Sequence, residues 1–390
     1  MKLKDTFVGF ANTITPFGMG LAVNQEAILS NMTAYSSFPK DRYGTDFPVT
    51  CAGLIPLSFY SKNNCDSYTR SEQMLETLLK NTFSNLQIKT NIDAAFLLYK
   101  NIDGYDYQLT NKTNLSFFEK SDQDSAHKIF NNNNILINRD NIHIIDNTCT
   151  TGLTLLTYAS QAIAAGLWKN VIVCTIDLID PFVIYLLNGL GALAQSGNDP
   201  SKASRPFDIA RNGFVKTESG TIALLSDNQE NLGGTALMKL VSFNQTNDAH
   251  RITDGRDDSH YIKLAMQTAL DNSNLKPNDL AFIKAHGTGT KLNDQHEAKA
   301  IRDIFGDLNI PITSLKGHLG HTTDASGLIE NLIVGYALKS GIILPTKNCE
   351  NPEFELNIVR NNYRQTTLKF FQSNSFGFGG NNASAIFEVI

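Results

Sequence analysis

Ile142-His143-Ile144-Ile145 reads as a short buried strand, and the period of the chain changes directly after it. Leu153, Leu156, Ser160, Ile163 and Leu167 fall on one face of a helix that Gly166 can terminate. Val171-Ile172-Val173-Cys174-Thr175-Ile176 follows as a near-continuous apolar run, the pattern of a strand covered on both faces. The same rhythm returns later: a helix around 261–272, the strand Leu280-Ala281-Phe282-Ile283, a glycine-rich turn, Ile312-Thr313-Ser314, and a helix over about 325–338. Lys369-Phe370-Phe371 and a run ending in Phe387-Glu388-Val389 read as the last two strands. Phe7-Val8-Gly9-Phe10 is strand-like, whereas the rest of the first ~140 residues alternates short apolar runs with polar loops. Within it, residues 131–134 read as a loop tip, and residues 244–258 read as a polar loop opening the second series. The pattern implies an α/β layered core in two halves of similar rhythm that divide near residues 228–234.

Composition narrows the class. A chain of 390 residues, 42% of them hydrophobic, can build two domains or one large fold of two halves. A formal net charge of −5 and the absence of a long basic run exclude the usual nucleic-acid binder. Five cysteines, odd in number and without CxxC spacing, suggest neither a disulfide framework nor a metal site and fit a reducing compartment. The N-terminus lacks the apolar run of a signal peptide, and no stretch approaches the length of a membrane span, so a soluble cytoplasmic protein is expected.

The candidate chemistry lies in four segments. Asp146-Asn147-Thr148-Cys149-Thr150-Thr151-Gly152 sets a cysteine at a helix start, where backbone N–H groups and the helix dipole favour a thiolate and lower its pKa from about 8.5. A buried core cysteine fits the same stretch equally well. Ala285-His286-Gly287-Thr288-Gly289-Thr290 leaves His286 at a strand end, as a base, a hydrogen-bond donor or a plain capping residue. Ser314 to His321 places Lys316 and His321 in a loop before a helix, and Asp294 and Glu297 offer carboxylates to pair a buried Lys316. His296 and His318 lack such support and read as surface residues. Phe376-Gly377-Phe378-Gly379-Gly380 makes a flexible turn whose backbone N–H groups can face an oxyanion, or an ordinary hairpin.

In this order the segments resemble the β-ketoacyl-acyl-carrier-protein synthases, the elongating condensing enzymes of the thiolase fold. Arg205-Pro206-Phe207-Asp208 with Arg211 and Gly213-Phe214-Val215, Thr15-Pro16-Phe17-Gly18 and Leu344-Pro345-Thr346-Lys347-Asn348 are similar to further family segments. The resemblance implies a five-layered αβαβα sandwich of two duplicated halves, 1–230 with the nucleophilic cysteine and 231–390 with the two catalytic histidines, working as a dimer. It implies Cys149 as nucleophile, His286 and His321 as donors to an enolate, and Lys316, held by Glu297, as the group that orders them, with Asp294 beside Glu297. Cys149 and Phe378 would form the oxyanion hole, Phe378 the gate, and Phe376, Gly377, Gly379, Thr288 and Thr290 the substrate contacts. No cofactor of its own is implied, since substrates ride on the phosphopantetheine of an acyl carrier protein.

Departures from the pattern are Asn212 in place of aspartate, Thr217 and Ser219 in a GEGA-like segment, Asp324 in place of glycine, and Asn381 in place of threonine. Residues 94–100 match weakly as well. These point to a specialised branch of the type II polyketide or aryl-polyene kind, in which a catalytic subunit can pair with a non-catalytic chain-length factor. Lys62 and Arg70 are candidates for carrier docking. The alternative that this chain is itself the chain-length factor conflicts with its retained Cys149, His286 and His321. A thiolase or an initiating synthase of the Cys-His-Asn kind conflicts with the paired histidines and Lys316, while a plain binding module would require an inert Cys149.

Overall fold

The computed structural model describes residues 5–39, 48–59, 69–83, 91–99, 122–253 and 255–390. On the main path of its 11-stranded sheet, the first half of the chain supplies β1 (Phe7–Thr15), β2 (Ala94–Leu98), β3 (Ile142–Ile144), β4 (Asn170–Asp177) and β5 (Ser219–Ser226). The second half supplies β6 (Met238–Asn247), β7 (Leu280–Lys284), β8 (Ile312–Thr313), β9 (Phe370–Gly377) and β10 (Asn381–Val389). The strands lie in the order β3-β2-β4-β5-β1 and then β6-β10-β9-β7-β8. Read outward from the centre, each half runs first strand, last, fourth, second, third, and the pairings repeat as well: antiparallel, antiparallel, parallel, parallel. This repeat is the duplication that the rhythm of the sequence suggests. The two halves join where β1 meets β6 at Phe7–Lys239 and Val8–Met238.

Alternation along β4 explains the layers. Val171 and Val173 face one core and Ile172, Cys174 and Ile176 the other, so a continuous apolar run is needed for a strand buried on both faces. The first core holds α4 (Thr151–Ala164) and α9 (Ser326–Lys339), packed on each other between the sheet halves through Leu156, Ile163, Leu328 and Leu332. The outer face of the first half is covered by α2 (Arg70–Phe83) and α3 (Asp122–Asn132). On the outer face of the second half lie α6 (His260–Ser273) and α7 (Lys291–Phe305). Helix, sheet, helix, sheet and helix make the five layers, and each fully buried Leu, Ile or Phe contributes about 1.5–3 kcal/mol. Shorter helices are α1 (Leu21–Leu29), α5 (Pro181–Gly189) and α8 (Lys316–Leu319).

Local details differ from the sequence reading where tertiary pairing decides. Residues 244–247 extend β6 because Asn381–Ser384 offer them a ladder partner, rather than forming a loop. Asn131 and Asn132 close α3 instead of standing in a loop tip. Gly166, at φ +77°, does stop α4, and this leaves Leu167 69% exposed rather than on the buried face. Among the described residues no helix is long and apolar enough to cross a membrane.

Candidate active site

The turn from β3 into α4 is fastened by its own hydroxyls. Asn147 N donates to Thr151 Oγ1 at 2.6 Å, Thr150 Oγ1 to Asn147 O at 2.7 Å, and Thr151 Oγ1 to Thr148 O at 2.7 Å. Thr148 takes φ +52°, and Cys149 follows it, buried, just ahead of the first helical turn. The helix start does not make a resting thiolate: burial pushes the Cys149 thiol up to about 12, Asp324 and Asp177 add to the rise, and Lys316 and Lys216 oppose it. Burial is the largest of these causes, so the group rests as a thiol.

β7 ends at Lys284 and delivers His286 two residues later. Glu297, on α7, accepts from His286 N at 2.9 Å, Gly287 N at 2.8 Å and Asn374 Nδ2 at 3.1 Å. It therefore braces the histidine turn instead of pairing Lys316, the role that the sequence implies for it. The partner of Lys316 is Glu330, on the first turns of α9, at 2.7 Å. Lys284 reaches the other oxygen of Glu330 at 3.0 Å and donates to Asn374 O at 2.8 Å, so two fully buried ammonium groups share one carboxylate. Burial alone would raise the Glu330 carboxyl, but Lys284 and Lys316 hold it below the usual range. Lys316 Nζ also donates to His286 O at 2.7 Å and lies 3.5 Å from His286 Nδ1. An ammonium can only donate, so this contact leaves the His286 ring proton on Nε2.

The His321 ring stands edge-on to His286, with centroids 5.4 Å apart, and to Phe214 at 4.8 Å. Burial first, and Lys316 next, hold both imidazoles well below their ordinary pKa, so each is neutral at pH 7 and donates from one nitrogen. Cys149, His286 and His321 open on one cavity of about 430 Å³, with Phe214, Phe376, Gly377, Phe378, Thr288 and Thr290 on its walls.

The glycine turn between β9 and β10 forms the cavity's far side. Thr148 Oγ1 donates to Phe378 O at 3.1 Å, and a Cβ on Gly377 would overlap the Thr148 side chain and stand 3.1 Å from Cys149 N. Asn381 holds the turn, donating to Phe378 O at 3.1 Å and meeting Asn247 at 2.9 Å. Gly379 lies in this turn but not on the cavity wall. Asp294, on α7, accepts from Phe207 N at 2.8 Å and from Gly289 N, which ties the Arg205–Asp208 segment to the histidine loop.

Several residues lie elsewhere than the sequence reading puts them. His296 and His318 are buried, the latter with Nδ1 2.9 Å from Met32 O and held down to about 4 by burial. Arg70 is buried against Glu218 at 2.9 Å and presents no charge to a carrier protein, while Lys62 lies outside the described residues. Glu330 and Lys284 were the functional candidates missed. Their signal is a carboxylate early in the largely apolar helix SGLIENLIVGYALK for the first and a lysine closing the apolar strand LAFIK for the second.

A doubled five-strand unit with a cysteine and two histidines converging from its halves is the architecture of the thiolase-type condensing enzymes. The β-ketoacyl synthase N-terminal domain model matches residues 141–230, and the C-terminal domain model matches residues 237–350. The chain belongs to the β-ketoacyl synthase family. It is 32% identical over 252 residues to a putative polyketide β-ketoacyl synthase 1 of Streptomyces halstedii, covering 63% of this chain and 60% of the relative. To 3-oxoacyl-[acyl-carrier-protein] synthase 2 of Vibrio harveyi it is 30% identical over 254 residues, covering 63% and 61%. The matched span is thus about three fifths of these relatives' length. Among solved structures, a type II polyketide ketosynthase in complex with its acyl-carrier protein aligns with TM-score 0.84 at 20% identity over 100% of both chains. A β-ketoacyl synthase from Burkholderia phymatum STM815 aligns with TM-score 0.84 at 21% identity, also over 100% of both chains. At these identities the structural likeness speaks for the fold.

Proposed function

We propose that the protein is a ketosynthase: it joins a Cys149-bound acyl chain to malonyl carried on an acyl carrier protein, releasing carbon dioxide and a β-ketoacyl thioester. The observation that carries this reading is the convergence of Cys149, His286 and His321 on one cavity. In the first half-reaction the Cys149 sulfur attacks the incoming thioester and loses its proton. The oxyanion is received by the backbone N–H groups of Cys149 and Phe378, and the carrier thiol leaves. In the second, the malonyl carboxylate departs as carbon dioxide, and the two electrons it leaves form an enolate whose oxygen accepts from the Nε2–H groups of His286 and His321. The enolate carbon then attacks the acyl carbonyl, the carbon–sulfur bond to Cys149 breaks, and the thiol is reprotonated. Lys316 fixes the His286 tautomer, Phe378 gates the acyl chain, and Phe376, Thr288 and Thr290 line the substrate path.

The reaction needs no cofactor beyond the carrier's phosphopantetheine. The acyl-carrier-protein complex named for one structural neighbour and the ketosynthase/chain length factor named for another support a carrier partner and a dimer of like or unlike subunits. We place the halves at 1–230 and 231–390 and the protein in the cytoplasm, in a specialised polyketide or polyene pathway. Intact-protein mass spectrometry after incubation with an acyl carrier thioester tests the reading. Wild type gains the acyl mass and Cys149→Ala does not; an equal adduct on the variant refutes the assignment. His321→Ala is expected to lose decarboxylation while loading partly survives, and equal loss of both would make His321 structural.

A further inference from the structure

The His321 backbone is gripped by one segment. His321 N donates to Val215 O at 2.7 Å and Thr217 N donates to His321 O at 3.1 Å. Lys216 lies between these two bonds, and its buried ammonium stands 2.5 Å from Asp177 Oδ1 and 2.7 Å from Thr323 Oγ1. The other Asp177 oxygen accepts from Thr323 Oγ1 and, at 3.2 Å, from Asp324 N. The segment that grips His321 and the turn that follows it therefore converge on one ion pair at the end of β4. Lys216 and Asp177 keep 2% and 12% of their side-chain surface exposed.

The ring itself supplies no such anchor. His321 Nδ1 is buried and has no hydrogen-bond partner among the described residues, so edge contacts to Phe214 and His286 and the backbone set its position. Thr323, two residues on, sits at φ +32°, a conformation that a β-branched residue keeps only where its surroundings over-determine it. Asp177 and Lys216 both bond its hydroxyl.

We infer that Lys216 and Asp177 are positioning residues for His321, holding its Nε2–H where the enolate oxygen forms. The inference rests on the condensing reaction proposed above. Its test is Lys216→Met with Asp177→Leu, which strips the anchor, leaves no lone buried charge, and keeps the net charge beside Cys149 unchanged. Decarboxylation of malonyl thioester should fall by about 10- to 100-fold, the scale of a small misplacement, with acyl loading of Cys149 within about threefold of wild type. Lys216→Arg, which keeps the ion pair, should retain decarboxylation within about threefold. Amide hydrogen exchange across residues 318–325 should quicken in the double variant and not in Lys216→Arg. Equal loss of both half-reactions, undiminished decarboxylation, or unchanged exchange each overturns the inference. Wild type that neither loads nor decarboxylates would instead refute the proposed reaction, and the exchange measurement would still decide the anchor.

Discussion

Glu330→Gln removes the one charge that two fully buried ammonium groups share, with Lys316 at 2.7 Å and Lys284 at 3.0 Å. Each lysine keeps a backbone acceptor, His286 O for Lys316 and Asn374 O for Lys284, but no carboxylate: Glu297 is committed to the His286, Gly287 and Asn374 donors. Breaking a buried pair costs about 3–5 kcal/mol, which is a large part of a typical stability of about 5–15 kcal/mol. The sign of the pH dependence follows from Lys284. Burial already lowers Lys284, and losing Glu330 lowers it further, so the unfolded variant binds more protons than the folded one between that depressed value and the free lysine range near 10.4. The variant should gain stability on wild type as pH rises through that window, while the deficit stands in full at lower pH. Urea denaturation followed by circular dichroism at pH 7 and pH 9 measures both quantities. A loss under about 1 kcal/mol at pH 7, or a gap that does not narrow at pH 9, would refute the account of a single carboxylate compensating two lysines. Adding Lys284→Met to the variant should restore part of the loss, because it removes one of the two stranded charges.

Two other outcomes follow from the cysteine turn. With its pKa near 12, Cys149 should be alkylated by iodoacetamide about tenfold faster for each pH unit between 7 and 9. Peptide mapping reads this site by site, and a plateau below pH 8 would show that the helix end overrides burial. Gly377→Ala puts a methyl group into the Thr148 side chain and against Cys149 N, so acyl loading should drop by about 10²–10³, the usual effect of disturbing an oxyanion donor. Loading at the wild-type rate would separate Gly377 from the oxyanion site.

Elements set by local pattern were legible in the chain, and those set by distant partners were not. β4 and α4 announce themselves through period, and Gly166 marks the end of α4, because burial on both faces or on one leaves a regular trace over a few residues. Cys149, His286, Lys316, His321 and the glycine turn were legible as types because each sits at the end of a strand or before a helix. Which carboxylate meets Lys316 was not. Glu297 and Glu330 are both buried, and only the packing of α9 under β7 and β9 selects the second. His318 looks like a loop histidine until α1 and the loop after it close over it, bringing Met32 O to its ring. Arg70 looks exposed until Glu218, 148 residues away, takes its guanidinium.

Gly152 and Gly327 occupy matching places at the heads of α4 and α9, and a side chain on either would strike the backbone of the other helix, Leu328 N in one case and Leu153 N in the other. The contact works as a pivot. Three residues before Gly152 stands Cys149, and six before Gly327 stands His321, in the corresponding strand-to-helix connection of the other half. A symmetric pair of separate half-chains would meet at the same pivot with two identical loops facing each other, two cysteines or two histidines. Linking the halves in one polypeptide frees the facing loops to diverge, so that one carries a cysteine and the other a histidine.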